Sequence, residues 1–452
     1  MYFLCSIVVA IISYFLFKRS GADMNPRGVN MLSWIYYVQF ICFSLIGATC
    51  AVYAIDNHYI ISSIHNNQTT VRFIGWLMVL YSMVAFPLGI LIVKKMFSMR
   101  YVLRHDNSYY IIYKYPLLYI FTILSIASCL YVLYESHYIG LLNIITGTAS
   151  AQTRINYVRN FAGNEYIRNI FAQTLSILLS MAWYIEWKTI RKSKAKLFFY
   201  IMIFFAVLMT TQSFAKAPII NLFISFVMLR IYLFGRLSRK FWITSVILSC
   251  LGIVIMYIKV TGVDLSAILN SYNTGILGRV FFSQIAGLFK TLEFFPSEHA
   301  FIGFSSISRL IAQLLGNEYT DRSARIVMEI FNPRGVSNGT AGVMNSLFIA
   351  EAWANWGMIG AVLSPWITGV VTGVIYYITV NNRNLVYGAV YGYLSLKIPI
   401  TGGFNDFIYP VGLLLPFFII FLITKIKLRR YIPMYCKARK NCLYDDGDHR
   451  SN

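Results

Sequence analysis

Eleven uncharged apolar blocks, most of them close to bilayer thickness in length, constrain this chain more than any motif does. They fall at about 2–17, 31–54, 73–93, 116–134, 169–185, 197–215, 217–229, 241–258, 357–379, 384–400 and 409–424. A hydrocarbon core of about 30 Å asks for about 20 residues per helix, so the shorter blocks extend into the interface. The blocks lack the one-sided periodicity of surface helices, and only 12% of the chain is charged, about half the usual share of a soluble domain. The expected fold is therefore all-α: a polytopic integral membrane protein of about 11 transmembrane helices, with a membrane domain over 1–424 and a basic cytoplasmic tail over 425–452.

Positive charge sets the expected orientation, because short Lys- and Arg-rich loops stay in the cytoplasm. The first block has no preceding cation and is followed by Lys18 and Arg19, the reverse of a cleavable signal, so it reads as a retained helix with its N-terminus outside. On that N-out, C-in assignment the inside segments hold 26 Lys+Arg against 6 Asp+Glu, and the outside segments 13 against 11. The inside clusters, such as Lys188, Arg191, Lys192, Lys194 and Lys196, are topology signals beside anionic lipid, not a nucleic-acid surface. Five cysteines lie in blocks and two, Cys436 and Cys442, in the tail, so no disulfide framework is expected outside.

Two outside segments, about 135–168 and 259–356, are too long for turns and too rich in aromatic and aliphatic residues for disorder. Ala267–Tyr272, Leu277–Phe289 and Ile307–Leu315 have apolar spacing suited to short interfacial helices. Between the long segments a tight hairpin, Gln212–Pro218, carries Lys216. No phosphate loop, zinc-protease motif, dinucleotide fingerprint or other cofactor signature occurs, and no ligand cluster points to a metal. Asp446-Gly-Asp448 in the tail reads as a solvated acidic terminus.

Block interiors are nearly free of ionisable residues, Lys397 near an outer end being the main exception, which speaks against ion-coupled transport. Charge gathers in the outside loops instead: Arg154, Arg159, Arg168, Lys216, Lys259, Arg279, Arg309, Arg322, Arg325 and Arg334, interleaved with Glu293, Glu298, Asp321, Glu329 and Glu351. A basic collection at the membrane surface suits an anionic lipid headgroup, a diphosphate above all, since guanidinium binds phosphate oxygens bidentately.

In this layout the chain resembles the bacterial O-antigen polymerases of the Wzy type and related oligosaccharide repeat-unit polymerases. The likeness covers about 115–425: Lys216 in its hairpin, two blocks, then a long outside loop with Gly278-Arg279, Asn332-Pro-Arg334-Gly335 and Gly339-Thr340. It closes on Glu351-Ala-Trp-Ala-Asn355-Trp-Gly357 and Gly360, leading into the next block. One feature departs: no outside arginine is followed by glycine at the spacing that some members use in both main loops, Arg154 meeting Glu165, Arg279 meeting Lys290 and Arg325 meeting Val336.

The resemblance implies a glycosyltransferase at the outer face of the bacterial inner membrane. It would move a growing glycan from undecaprenyl diphosphate to another lipid-linked repeat unit, without metal or cofactor, beside a flippase and a chain-length regulator. Lys216, Arg279, Arg325 and Arg334, with Arg154 and Arg159 as weaker candidates, would hold the diphosphate. Glu329, Asp321, Glu298 or His299 would deprotonate the acceptor hydroxyl; Glu351 also qualifies, but a carboxylate at a helix mouth is more often a structural partner of arginine. Three alternatives stand beside this: an O-antigen ligase, kept open by Glu298-His299; a lipid-linked oligosaccharide flippase, opposed by the uncharged blocks; and a non-catalytic scaffold or receptor, which would have no need for a basic outer cleft.

Overall fold

A computed structural model describes residues 1–55, 58–96, 113–146, 148, 157, 161–248, 251, 275, 277–338, 341–382 and 384–429. The principal helices are α1 Tyr2–Arg19, α2 Met31–Val52, α3 Gln68–Met96, α4 Pro116–Ser136, α5 Leu175–Ile190, α6 Ser193–Thr211, α7 Lys216–Phe234, α8 Ala286–Phe294, α9 Ser323–Phe331, α10 Phe348–Asn381, α11 Gly388–Leu394 and α12 Val411–Lys425. The sole β pairing among the described residues joins Tyr113 and Lys114 to Arg429 and Leu428. Among the described residues eight helices, those of the predicted blocks at 2–17, 31–54, 73–93, 116–134, 197–215, 217–229, 357–379 and 409–424, are long and apolar enough to cross a membrane. The chain is a multi-pass α-helical membrane protein.

The other three predicted blocks differ. That at 169–185 is α5, which continues without a break from a π-helical stretch, Ile167–Thr174. Half of the block at 241–258 lies outside the described residues. The one at 384–400 is shorter than expected: the apolar helix over Leu385–Leu394 is about 15 Å long, half a bilayer, and ends in turns through Gly402.

Two ends of the bundle are defined by contacts between loops. At one end Tyr376 and Tyr377 donate to the carbonyls of Gly21 and Ser20, Asn30 Nδ2 donates to the Tyr376 hydroxyl, and the Tyr115 hydroxyl donates to Asn384. This end carries the Lys- and Arg-rich connections between α5 and α6 and beyond α7, and is here called the basic end. At the opposite end the described residues of 277–338 and 341–347 form a cap containing α8, α9 and the short helices Arg309–Leu314 and Pro333–Ser337. Short helices were expected from the apolar spacing there; the stretch 267–272 lies outside the described residues.

Buried ion pairs and polar contacts fasten the cap. Lys290 and Glu293 of α8, both almost wholly buried, pair at 2.8 Å; Lys290 also donates to the Ser63 carbonyl, while Glu293 accepts from the backbone N–H groups of His65 and Asn66. Burial pushes the Glu293 pKa up, but the Lys290 hydrogen bond and the two N–H groups outweigh it and hold the pKa below the ordinary value. Close by, His58 is fully buried, with Nε2 3.0 Å from Ser283 Oγ, its ring stacked on Phe282 and no hydrogen-bond partner for Nδ1 among the described residues. Burial lowers its pKa from 6.5 to about 4.

That depression fixes a pH dependence. The unfolded chain takes up this proton near pH 6.5 and the folded chain only near 4, so stability is full above about 6.5 and is lost as pH falls toward 4. Thermal melting in detergent at pH 4.5 should show a loss of about 2–3 kcal/mol relative to pH 7.5, reduced in His58→Leu. Equal pH profiles for the two proteins would mean that His58 does not carry the effect.

Candidate functional site

The cap meets the bundle at a break in α10. Trp356 (φ −133°, ψ 16°) and Gly357 (φ 59°, ψ −136°) leave helical geometry, so Phe348–Asn355 forms a separate short helix ahead of the long one. Gly357 occupies a backbone region open to glycine and closed to β-carbon residues, and a side chain there would also strike Phe301. Breaking a helix frees carbonyl groups, which cannot stay unsatisfied away from water. Here the cap supplies the donors: Ile302 N–H bonds the Ala354 carbonyl at 3.0 Å, and Gly303 N–H the Asn355 carbonyl at 2.9 Å.

A polar network lies beneath this break. Arg322, just before α9, binds Glu351 through Nε (2.7 Å) and Nη2 (2.8 Å), and Asp406 through Nη1 (3.1 Å) and Nη2 (3.3 Å). One guanidinium thus forks onto two carboxylates and commits four of its five N–H groups. Burial alone would lower the Arg322 pKa, but Glu351 and then Asp406 raise it above the ordinary value. Glu351 is 2% exposed and also accepts from Asn405 N–H at 2.8 Å. Asn405 Oδ1 accepts from Asn355 Nδ2 (2.9 Å) and Asn405 Nδ2 donates to the Ser306 carbonyl (3.0 Å), tying together the helix break, the cap and the turn before α12. Gly403 lies against both Arg322 and Glu351, and a β-carbon there would overlap both side chains.

Within the cap lies a cavity of about 680 Å³ lined by His299, Phe301, Ile302, Ser305, Thr320 and Glu329, among others. Glu329 is held from the side by Arg325 Nε at 2.8 Å, an i,i+4 pair within α9, while Arg325 Nη1 also reaches the Gly342 carbonyl at 3.3 Å. Two predicted catalytic residues, Glu329 and His299, therefore share one cavity, with the predicted phosphate ligand Arg325 as the neighbour of Glu329. Asp321 is exposed, one residue before Arg322.

A second cavity, of about 360 Å³, lies between the π-helical start of α5, the end of α6 and the loop after α11. Arg168, Gln173, Thr174, Ser213, Tyr393 and Lys397 supply its polar lining. Arg168 is buried, donating to the Tyr157 carbonyl (2.6 Å) and Asn169 (3.0 Å), with the exposed Glu165 at 3.4 Å and the Tyr157 and Phe161 rings under its guanidinium. Lys397 lies 5.6 Å from the Tyr393 ring centroid. No carboxylate lines this cavity among the described residues.

The remaining candidates are dispersed. Arg279, at a π-helical turn, and Arg334, in Pro333–Ser337, are exposed and line neither cavity. Lys216 begins α7, two residues before Pro218 of the second cavity. Arg154 and Arg159 lie outside the described residues. Glu351 takes the place of an arginine partner, the alternative open to it from the sequence. Asp406, Asn405 and Gly403 escaped sequence reasoning, although Gly-Gly-Phe-Asn-Asp ahead of an apolar block was a visible signal.

No group of three or more His, Cys, Asp or Glu suited to a metal ion occurs among the described residues. No family model, curated protein or solved structure matches the chain.

Proposed function

We propose that this protein is a glycosyltransferase that polymerises oligosaccharide repeat units carried on undecaprenyl diphosphate, with its cap on the outer face of a bacterial inner membrane. The observation that carries the reading is the pair of cavities among a membrane bundle and its cap. One presents a carboxylate and an imidazole, Glu329 and His299; the other presents two cations, Arg168 and Lys397, with no lining carboxylate among the described residues.

Repeat-unit transfer needs both kinds of group. Negative charge grows on the departing diphosphate as the glycosidic bond breaks, and fixed cations stabilise it most effectively. Arg168 and Lys397 meet that need in the second cavity, with Lys216 two residues before Pro218 of its lining; of the other cations expected from the sequence, Arg325 pairs with Glu329 at the first cavity, and Arg279 and Arg334 line neither. The acceptor hydroxyl gives up a proton as it attacks, and Glu329 is the base, with Arg325 Nε, 2.8 Å away, holding the carboxylate in place. The sugar bond formed replaces the bond broken, and undecaprenyl diphosphate leaves.

His299 beside Glu329 also suits a ligase, which passes finished polymer to a different acceptor. A deletion strain separates the readings. Loss of a polymerase leaves lipid-linked single repeat units and no ladder on a surface-glycan gel; loss of a ligase leaves lipid-linked polymer. Accumulation of units on the cytoplasmic side would instead point to a flippase.

A further inference from the structure

The basic end holds a cluster of cations that the proposed transfer reaction does not use. Lys188 lies in the last turn of α5, Arg191 directly after it, Lys196 in the first turn of α6 and Arg230 in the last turns of α7. Lys188 Nζ sits 3.7 Å from the Trp187 ring centroid, and Lys196 Nζ 5.9 Å from the same centroid, so one indole holds two ammonium groups. Arg230 stacks over Phe241 at 4.4 Å. The charges of Arg230, Lys196 and Arg191 all act on Lys188. Among the described residues none of the four forms an ion pair. At the same end Asp23 pairs with Arg236.

Four like charges brought together from three helices repel one another unless an anion lies among them. The surface next to them says which anion. From Lys196, the exposed residues Leu197, Tyr200 and Phe204 run along one face of α6 into the bundle's apolar surface. Lys196 Nζ also lies 5.9 Å from the Tyr200 ring centroid, so the cations and the apolar strip are continuous. A free phosphate uses only the first part of this surface, whereas a phospholipid uses both.

We infer that Lys188, Arg191, Lys196 and Arg230 bind the phosphate headgroup of an anionic phospholipid, one acyl chain of which lies along Leu197, Tyr200 and Phe204. The lipid offsets the repulsion and fixes the junction of α5, α6 and α7. This is independent of the catalytic proposal.

The test is native mass spectrometry and thermal melting of the full chain in detergent, titrated with phosphatidylglycerol, phosphatidylcholine or inorganic phosphate. Phosphatidylglycerol should be retained and raise the melting temperature, and the other two should not. Lys188→Gln/Arg230→Gln should weaken phosphatidylglycerol binding roughly tenfold or more, at about 1 kcal/mol per cation near a charged headgroup. Should that variant fail to fold, Arg191→Gln/Lys196→Gln, at two exposed positions, carries the same expectation. Equal stabilisation by phosphatidylcholine or by inorganic phosphate, or unchanged binding in the folded variants, would overturn the site.

Discussion

Glu351→Ala should lower the stability of the folded protein by about 3 kcal/mol, the lower end of the range for breaking a buried ion pair, because Arg322 is about a third exposed and water screens part of the loss. The change strands more than a charge. Arg322 keeps only Asp406, which is 45% exposed, and the buried Asn405 N–H loses its acceptor. Since Asn405 leads on to Asn355 and Ser306, the loss spreads to the broken segment of α10 and to the cap. Thermal melting in detergent reads the effect, and limited proteolysis should cut the cap between α8 and α10 faster. Arg322→Lys should behave similarly, since an ammonium group cannot fork onto two carboxylates. A melting temperature unchanged in both variants would mean that the network does not hold the cap.

Glu329→Gln should reduce chain elongation by about 100-fold or more while leaving the amount of protein in the membrane unchanged. General acid–base groups contribute about 10² to 10⁴ in rate, and the Glu329 side chain is 43% exposed, so its amide replacement disturbs little packing. His299→Asn, on the same cavity, tests whether the imidazole shares the task. Arg325→Ala should fall between, because it removes the partner of Glu329 and leaves the carboxylate in place. Normal glycan ladders from Glu329→Gln would exclude this carboxylate as the base.

The membrane bundle was legible in the sequence because lipid demands long uncharged stretches, and eight of the expected blocks appear as full-length helices. The shortened α11 was not, since block length measures hydropathy and not where the chain turns. Its apolar helix stops at Leu394, yet Ile398, Pro399 and Ile400 keep the block apolar through the turns beyond it. The motif from Glu351 to Gly360 was read as an entry into the next helix. Its dihedral angles show a break, a consequence of Gly357 that glycine alone does not announce. Pairings were hidden for a related reason: Arg322, Glu351 and Asp406 are 29 and 84 residues apart in the chain from Arg322, and only the folded cap brings them together. Arg325 and Glu329, four apart on one helix, were within reach of sequence reasoning.

Elongation by the purified protein tests the central proposal most directly. The full chain, reconstituted in liposomes with undecaprenyl-diphosphate-linked repeat units as the only glycan, should build products that grow by whole repeat units. One undecaprenyl diphosphate should be released for each bond formed, and Glu329→Gln should stall on the unextended donor. Movement of the lipid-linked units across the bilayer with no new glycosidic bond, or no change in them at all under conditions where the folded protein is intact, would contradict the account.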